Sequence, residues 1–349
     1  MPNKKITVQD IADELGMSRN TVSKALNNTG LLAETTKSKI IQKAIEMGYK
    51  QFTYMNTSPA SSKPIVNKDI ALLTCSMPNS THFGSNLLSG FEEKISNLGY
   101  RLSMYMIRDN ELNSSNLPFN FNPKLIDGII CIEMFDKHYS KLICDLGIPT
   151  LFIDSSSNLE NEPLSSDILL MESYHNIYSI TKNLINHNIT NIGFVGDIFH
   201  CQSFYERWQG FCSALSNSGI SLDINNSILE NDREPYSNAE WLGNKIVQIP
   251  ALPQAFICAN DFIAIDIIKA LKYKSKSVPD DVLVCGFDDS AESRLIEPHI
   301  TTVHIPSCEM GDIAANILLS RMENPTLPFR TTYVRTISKY RESTGDILS

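Results

Sequence analysis

The spacing of apolar residues divides this chain of 349 residues into two parts. Up to about residue 50, apolar side chains recur every three or four positions, which is the period of amphipathic helices. From residue 70 onward, short apolar runs alternate with amphipathic stretches, which is typical of strands that alternate with helices. The pattern therefore predicts a small all-α unit followed by a larger α/β unit.

The first helix is bounded by a signal at each end. Thr7 and Asp10 have the spacing of an N-cap residue and an acid in the first turn. Gly16 ends the helix, because the residue just past a helix commonly adopts a positive φ. We therefore expect a first helix over residues 8–15.

A second helix, which Ser18 can cap, has one apolar face and one polar face. Its inward apolar residues are Val22, Ala25 and Leu26. Its outward residues, which can form hydrogen bonds, are Arg19, Asn20, Ser23 and Lys24. We expect this helix to end near residues 27–28, and we expect a third helix, with apolar positions over 40–45, to end at Gly48.

The turn between the first two helices is so short that the helices have to cross steeply. Ala12 is small enough for such a crossing, and the β-branched Val22 can fill the angle between the helices. An ordinary helical hairpin is the alternative. It does not require a small residue, a turn glycine and outward hydrogen-bonding side chains in this register, so the pattern favours a helix-turn-helix that reads DNA.

The charge of the chain is distributed unevenly. The formal net charge is −9, yet residues 1–50 hold eight Lys or Arg against five Asp or Glu. A small basic head on an acidic body suits a protein that touches phosphates at one end only. Random clustering of a few lysines would give the same numbers, so charge alone does not decide the question.

The segments TVQDIADELGMSRNTVSKALNN and TKSKIIQKAIEMGY resemble the DNA-binding headpiece of the LacI/GalR family over residues 6–49. The resemblance implies that Arg19, Asn20 and Lys24 face base edges in the major groove. Arginine and lysine can donate to guanine O6 and N7, and asparagine can bond adenine N6 and N7. Other polar residues are expected to contact DNA phosphates or to cap helices: Thr7, Ser18, Thr21, Ser23, Asn27 and Thr36. A solvated surface side chain is the alternative at each position.

Residues 51–68 have the composition of a linker, because Ser, Thr, Asn and Pro dominate from residue 56 to residue 64. Members of the LacI/GalR family commonly carry a hinge helix here, whose leucine wedges into the minor groove. This chain has Tyr54 and Met55 instead, and either could act as an apolar wedge. Pro59 disfavours a stable helix, so we expect weak insertion or none.

The body repeats a rhythm of strands and helices. Strands are predicted at residues 70–75, 101–107, 128–132 and 149–154, and then at 191–197, about 228, 255–261 and 282–289. Helices are predicted at residues 87–98, about 140, 177–185, 204–216, 239–247 and 263–271. This alternation predicts an α/β fold with two doubly wound subdomains, each a parallel sheet covered by helices.

The body also resembles the effector-binding domain of the LacI/GalR family, which is related to periplasmic sugar-binding proteins. The markers are HFGSNLLSGFEEKISNLGY, DGIICI, IPTLFID, NIGFVGD, ERWQGF, FICANDFIA, VPDDVLVCGFDD and ITTV. The resemblance covers residues 69–340. It implies an N-subdomain of about 69–160 and 291–322, a C-subdomain of about 161–290 and 323–340, and a ligand cleft between them.

By this resemblance, the residues that contact the effector are Asp154, Arg207, Asn260 and Asp288. A guanidinium, carboxylates and an amide around vicinal hydroxyls are sugar-binding chemistry, so we expect a sugar or sugar derivative. Aromatic residues that could stack on it are His82, Phe83 and Trp208, for which core or rim packing is the alternative. His200 and Tyr205, from the segment GDIFHCQSFYERW, are expected near the same cleft.

Two alternatives from other classes are an enzyme acting on sugars or nucleosides and a sugar-binding protein without DNA activity. The chain has no GxSxG, P-loop, HExxH or GxGxxG motif and no zinc-spaced Cys/His set. Its eight cysteines are scattered, so we expect reduced, packed thiols and no metal, cofactor or catalytic residue.

The absence of a signal peptide and of an 18-residue apolar span predicts a cytoplasmic protein without a membrane partner. We expect a homodimer whose two headpieces read a roughly palindromic operator. Closure of the cleft on its ligand is expected to shift the affinity for DNA, and the resemblance favours a repressor.

Overall fold

The computed structural model describes residues 6–26, 33–47, 49, 68–77, 83–157, 163–231 and 234–347. The chain divides into two compact units, Met1–Val66 and Asn67–Ser349, and each is described by itself. Some residues with predicted roles lie outside the described ranges: Asn27, Gly48, Tyr54, Met55 and His82.

Three helices form the described part of the first unit: α1 (Val8–Leu15), α2 (Arg19–Leu26) and α3 (Glu34–Glu46). The prediction of α1 is confirmed at both ends. The Thr7 hydroxyl accepts a hydrogen bond from the Asp10 backbone at 3.3 Å, and the Asp10 carboxylate accepts one from the Thr7 backbone at 2.7 Å. Gly16 ends the helix with a φ of 62° and donates its N–H to Asp13 O.

These helices enclose a small core of buried side chains: Ile11, Ala12, Val22, Ala25, Ile40 and Ala44. Ala12 and Val22 are both 0% exposed, as the steep crossing of α1 and α2 requires. The backbone N–H of Met17 donates to Ala12 O at 2.9 Å, which ties the turn to α1. The apolar face predicted for α2 is therefore the face that packs.

The described part of the second unit alternates strands and helices. Its strands are β1 (Lys68–Thr74), β2 (Tyr100–Met106), β3 (Gly128–Ile132), β4 (Thr150–Ile153), β5 (Asp167–Met171), β6 (Ile192–Val195), β7 (Ala255–Cys258), β8 (Leu283–Cys285), β9 (Thr302–His304), β10 (Thr331–Val334) and β11 (Ile337–Lys339). Its α-helices are α4 (Phe83–Ser96), α5 (Asp109–Ser114), α6 (Lys137–Cys144), α7 (Tyr174–Asn186), α8 (Gln202–Ser216), α9 (Ala239–Gln248), α10 (Asp261–Tyr273) and α11 (Ser307–Glu323).

The strands form two parallel sheets, which confirms the predicted fold class. The first sheet has the order β2-β1-β3-β4-β5-β10, and the second has the order β6-β7-β8. Isolated parallel bridges extend the second sheet at both edges, from Val195 to Ile228 and from Cys285 to Thr301. An antiparallel pair, β9 with β11, lies beside them.

Strand β1 shows how the first sheet is covered on both faces. Ile70 and Leu72 belong to one buried cluster, which includes apolar residues of α4 and α11. Ala71 and Leu73 belong to another cluster, which includes residues of α6. Because successive side chains of a strand point to opposite faces, each face of the sheet has its own core.

The predicted subdomain bounds are wrong for β5 and β10. Both fall in the segments assigned to the C-subdomain, but β5 pairs with β4, and β10 pairs with β5, in the first sheet. A short apolar run carries no information about its pairing partner, because tertiary contacts decide which sheet it joins. The chain therefore crosses between the sheets after β5, between β8 and α11, and after β10.

The second unit also extends past residue 340, where the sequence predicted its end. A short 3₁₀ segment, Glu342–Ile347, follows β11. Within it, the Ser343 hydroxyl donates to Val284 O of β8 at 2.5 Å and accepts from Thr301 N at 2.8 Å. The C-terminal segment is thus hydrogen-bonded both to β8 and to Thr301, the residue that forms an isolated bridge to β8.

Candidate DNA-reading surface and ligand cleft

The exposed face of α2 carries the side chains predicted to read bases. Arg19, Asn20 and Lys24 are exposed, whereas Val22 and Ala25 are buried in the headpiece core. A guanidinium, an amide and an ammonium group on one helix face are the hydrogen-bonding groups that a major-groove reader needs. The fold therefore directs all three away from the core.

The polar residues at the helix ends take part in capping. The Ser18 hydroxyl accepts a hydrogen bond from Thr21 N at 3.1 Å, and the two hydroxyl oxygens lie 2.8 Å apart. Thr7 forms the reciprocal bonds with Asp10 described above. Capping satisfies N–H groups that have no partner within the helix, so Ser18 and Thr7 have a structural role whatever else they contact. Ser23 and Thr36 are half-buried, on α2 and in the first turn of α3.

A cavity of about 340 Å³ lies where the carboxyl ends of the two sheets meet. It is lined by the four residues predicted to contact the effector, Asp154, Arg207, Asn260 and Asp288, and by Phe83, one of the aromatic residues predicted to stack on it. They come from the ends of β4, β7 and β8 and from helices α4 and α8. Segments far apart in the chain converge here because parallel strands end at one edge of a sheet.

Arg207 is almost fully buried, with 2% of its surface exposed. Its Nη1 donates to Ala259 O at 2.5 Å, and its Nη2 lies 3.5 Å from Asp288 Oδ1. The guanidinium also stacks on Phe287, with its carbon 3.6 Å from the ring centroid. The buried Nε has no hydrogen-bond partner among the described residues. Arg207 is therefore an inward-facing residue of the cleft rather than a surface side chain.

Asp288 follows β8 with a φ of 107°, a conformation that non-glycine residues rarely adopt. Its backbone N–H donates to Val303 O at 2.9 Å, which helps to hold this conformation. Burial raises the pKa of Asp288 to about 7, although the nearby Arg207 guanidinium lowers it in part. The carboxyl group can thus either accept or donate a hydrogen bond near neutral pH.

The Asp154 carboxylate is largely engaged by the protein itself. One oxygen accepts from Ser203 Oγ at 2.6 Å, and the other accepts from Ser155 N at 2.8 Å and Ser203 N at 3.3 Å. Asp154 follows β4 of the first sheet, while Ser203 lies in the first turn of α8, which packs on the second sheet. Asp154 therefore ties the two halves together, a role that the sequence did not reveal.

Asn260 is the N-cap residue of α10, and its Oδ1 accepts a hydrogen bond from Ile263 N at 2.9 Å. The next residue, Asp261, is fully buried and accepts from Thr302 Oγ1 at 2.6 Å and from Ser290 N at 2.8 Å. Burial raises the pKa of Asp261 to about 6, and these hydrogen bonds oppose the rise. Asp261 thus connects the first turn of α10 to β9 and to the segment that contains Ser290.

An aromatic wall completes the cleft. His200, which the sequence placed nearby, lies with its ring centroid 4.9 Å from those of Phe135 and Phe204. Sequence analysis missed Phe135, Phe204 and Glu133, all of which line the cavity. The convergence of strand ends is a signal that could have identified Glu133 and Phe135, because they are the first and third residues after β3.

Two residues expected at the cleft lie elsewhere. Trp208 is half-buried and packs against the core, with its ring centroid 5.4 Å from Phe194 and 5.5 Å from Phe211. Tyr205 lines a different cavity, on the opposite side of α8. A helix turns by about 100° per residue, so neighbours of Arg207 in the sequence face other directions.

The described ranges contain no group of three or more His, Cys, Asp or Glu side chains that could hold a metal ion. Within the same ranges, no helix is both long enough and apolar enough to cross a membrane.

The eight cysteines are free thiols. Burial raises the pKa of seven of them, so these thiols stay protonated at neutral pH: Cys75, Cys131, Cys144, Cys201, Cys212, Cys258 and Cys285.

Two family models match the chain. "Bacterial regulatory proteins, lacI family" matches residues 7–51, and "Periplasmic binding protein-like domain" matches residues 181–344. The chain is also 28% identical over 321 residues to the HTH-type transcriptional repressor PurR of Histophilus somni (strain 2336), covering 90% of this chain and 92% of that protein.

Solved structures share the fold. The Lac repressor dimer bound to operator and the anti-inducer ONPF has a TM-score of 0.67 at 17% identity, covering 98% of this chain and 99% of that chain. The transcriptional regulator CelR in complex with cellobiose has a TM-score of 0.65 at 19% identity, covering 97% and 100%. The chain therefore has the domain organisation of a DNA-binding transcription regulator of the LacI type, with a lacI-family helix-turn-helix headpiece followed by a periplasmic binding protein-like body.

Proposed function

We propose that the cleft binds a small, uncharged, polyhydroxylated ligand, and that its occupancy changes the affinity of a homodimer for a palindromic operator. One observation carries the proposal: five residues that are far apart in the sequence surround one cavity of about 340 Å³, a volume that suits a small molecule. The proposal assigns DNA reading to the first unit and ligand sensing to the second.

The groups that line the cleft suit hydroxyl groups. Arg207 Nε is a buried donor without a partner among the described residues, and Asp288 can accept or donate. Asn260 uses its Oδ1 to cap α10, which leaves its NH₂ group as a donor. A ligand with adjacent hydroxyls satisfies such donors and acceptors together. Apolar ring faces for the C–H side of a sugar come from Phe83, Phe135 and Phe204.

The charge of the cleft favours a ligand without a phosphate group. Among the described residues that line it, Glu133, Asp154 and Asp288 are acidic, and Arg207 supplies the only guanidinium. That guanidinium is already shared between Ala259 O and Asp288. A phosphate dianion would be repelled by the carboxylates in a partly buried site, where charges are poorly screened. An uncharged sugar avoids this cost.

Coupling to DNA follows from the position of the cleft between the two sheets. The Asp154–Ser203 hydrogen bond joins the halves, and a ligand that contacts both halves adds to that connection. Such a ligand shifts the equilibrium only if it binds one arrangement of the halves more tightly than the other. In the proposed homodimer, this shift alters how two headpieces meet half-sites one helical turn apart.

The test compares the full chain with a chain that lacks residues 1–60. Thermal unfolding is measured with neutral monosaccharides and disaccharides and with their phosphate esters, and operator binding is measured separately. We expect the shorter chain to keep its affinity for a neutral sugar and to lose operator binding. Operator binding that survives the deletion would contradict the headpiece assignment, and tighter binding of a phosphate ester would contradict the assigned ligand class.

A further inference from the structure

Helix α8 separates two cavities that each measure about 340 Å³. One is the cleft, which Phe204 and Arg207 line. The other is lined by Gln202, Tyr205 and Gln209, whose spacing places them together on another face of α8. We call this second space the edge cavity, because its floor is the β5–β10 edge of the first sheet.

The floor of the edge cavity is set by strand register. Thr331 pairs with Ile168, and Tyr333 pairs with Leu170, so these four side chains lie on one face of the sheet. Phe329 precedes them at the same alternation and also lines the cavity. Tyr333 is 50% exposed and Phe329 is 52% exposed, so two large aromatic rings remain partly uncovered next to the buried Ile168 and Leu170.

Charge distinguishes the edge cavity from the cleft. Among the described residues that line the edge cavity, the only charged side chain is that of Arg330. Its neighbour Asp167 is already neutralised by Arg321, whose Nε and Nη2 donate to the two carboxylate oxygens at 3.0 Å each. Arg330 Nη2 stands 3.5 Å from the same carboxylate, and 41% of the Arg330 side chain is exposed. Two guanidinium groups therefore share one carboxylate, which leaves a positive charge at the rim.

The acidic residue of α8, Glu206, is 8% exposed and is not among the described residues that line the edge cavity. Glu206 Oε1 accepts hydrogen bonds from Tyr333 Oη at 2.6 Å and from Gln202 Nε2 at 3.0 Å. Burial also raises the pKa of Glu206. Tyr333 and Gln202 line the cavity, and their donors are already used by Glu206. An anionic ligand group is therefore favoured at Arg330 rather than beside Glu206.

From this geometry we propose that the edge cavity is a second small-molecule site, distinct from the cleft, and that it takes a small organic anion with an aromatic or apolar body. The anionic group pairs with Arg330, and the body lies between Tyr205 and the floor residue Tyr333. Because its walls come from α8 and from the first sheet, the ligand contacts both halves of the second unit, as the cleft ligand does.

The test uses the full chain with phenyl phosphate as the probe and benzyl alcohol as its uncharged counterpart. Binding is measured by titration calorimetry, and thermal unfolding verifies that each variant folds. We expect phenyl phosphate to bind the native chain and benzyl alcohol to bind much more weakly. Arg330→Met and Gln209→Glu should each weaken phenyl phosphate binding by about tenfold or more, because one removes the cation and the other adds a carboxylate to the cavity.

Two controls decide where the probe binds. Arg335→Met removes an exposed arginine that does not line the cavity, and it should leave binding unchanged. Lys24→Ala should also leave binding unchanged, because the headpiece is not the proposed site. Equal binding of benzyl alcohol, an unchanged affinity in Gln209→Glu, or a loss in either control would overturn the proposal.

Discussion

Arg19 in the headpiece and Arg207 in the cleft show that the two units use polar residues differently. Arg19 is exposed on α2, with the fold directing it outward. Arg207 is 2% exposed, stacks on Phe287 and donates to Ala259 O. Substitutions on the exposed face of α2 can therefore leave the headpiece core intact. Substitutions in the cleft change the ligand contacts and the stability of the fold together.

The same contrast extends to the other cleft residues. Asp154 holds Ser203, and Asn260 caps α10, so each supports the fold as well as lining the cavity. In the headpiece, one set of residues supports the fold and another set exposes hydrogen-bonding groups. Ser18 caps α2, while Lys24 is exposed further along the same helix. We therefore expect substitutions on the exposed face of α2 to change binding without changing stability, and substitutions in the cleft to change both.

The largest effect is expected for Arg207→Met. Loss of the planar, charge-assisted contact should weaken ligand binding by about 2–4 kcal/mol, or roughly thirtyfold to a thousandfold. Removing one partner of a buried charge pair should also destabilise the second unit by about 3–5 kcal/mol. Calorimetry with a sugar found by the ligand screen measures the first effect, and denaturant unfolding measures the second.

Two further variants sharpen the Arg207 prediction. Arg335→Met should change neither quantity, because Arg335 is exposed and lines no part of the cleft. Adding Asp288→Asn to Arg207→Met should recover part of the lost stability, since no buried carboxylate is then left unpaired. Equal ligand affinity in the native chain and in Arg207→Met would exclude Arg207 as a ligand contact.

A smaller effect, confined to DNA binding, is expected for Lys24→Ala and for Asn20→Ala. Each should weaken specific operator binding by about 1–3 kcal/mol, because each removes a hydrogen-bonding group from the reading face of α2. Headpiece stability should not change, since both side chains are exposed. Gel-shift titrations of operator and scrambled DNA measure the discrimination.

Matched substitutions define the reading surface. Gln42→Ala, at an exposed position of α3, should leave operator binding unchanged. Ser18→Ala should lower headpiece stability by about 0.5–2 kcal/mol, because Ser18 caps α2. Unchanged discrimination in both Lys24→Ala and Asn20→Ala would remove these residues from the proposed reader.

A moderate pH dependence is expected from Asp288 and Asp261, whose pKa values are raised by burial from the ordinary 3.8 to about 7 and about 6. Between about pH 4 and about pH 7, the folded state therefore binds more protons than the unfolded state. The stability that these groups contribute is fully present below about pH 4 and is lost as pH rises through 6 and 7.

Thermal unfolding measured from about pH 5 to about pH 8 tests this dependence, because both carboxyls ionise within that range in the folded state. Asp288→Asn should lose less stability than the native chain as pH rises, since one of the two carboxyls is gone. Asp145→Asn, at an exposed position, should keep the native slope. An identical slope in the native chain and in Asp288→Asn would rule out Asp288 as a contributor.

The smallest effect is expected for Met55→Ala, in the linker outside the described residues. Pro59 and the polar composition oppose the hinge helix that is common in the family, so the segment should insert weakly between bases. The variant should bend the operator as little as the native chain does in a circular-permutation gel assay. A strong central kink that disappears in Met55→Ala would contradict this expectation.

Local signals were enough to predict the headpiece. The Thr7–Asp10 spacing, Gly16 and the apolar positions of α2 each act within a few residues, so the bounds of α1 and the packing face of α2 could be predicted. Similarly, the alternation of apolar runs and the family markers predicted two parallel sheets and five residues that line the cleft.

Other features depended on contacts between distant segments. The sequence alone determined the headpiece, the fold class and the strand-end residues of the cleft. Tertiary structure alone decided that β5 and β10 join the first sheet, that Asp154 binds Ser203, and that α8 separates two cavities. The physical reason is that capping and helical periodicity are local interactions, whereas strand pairing and the walls of a cavity arise between residues that meet only when the whole chain has folded.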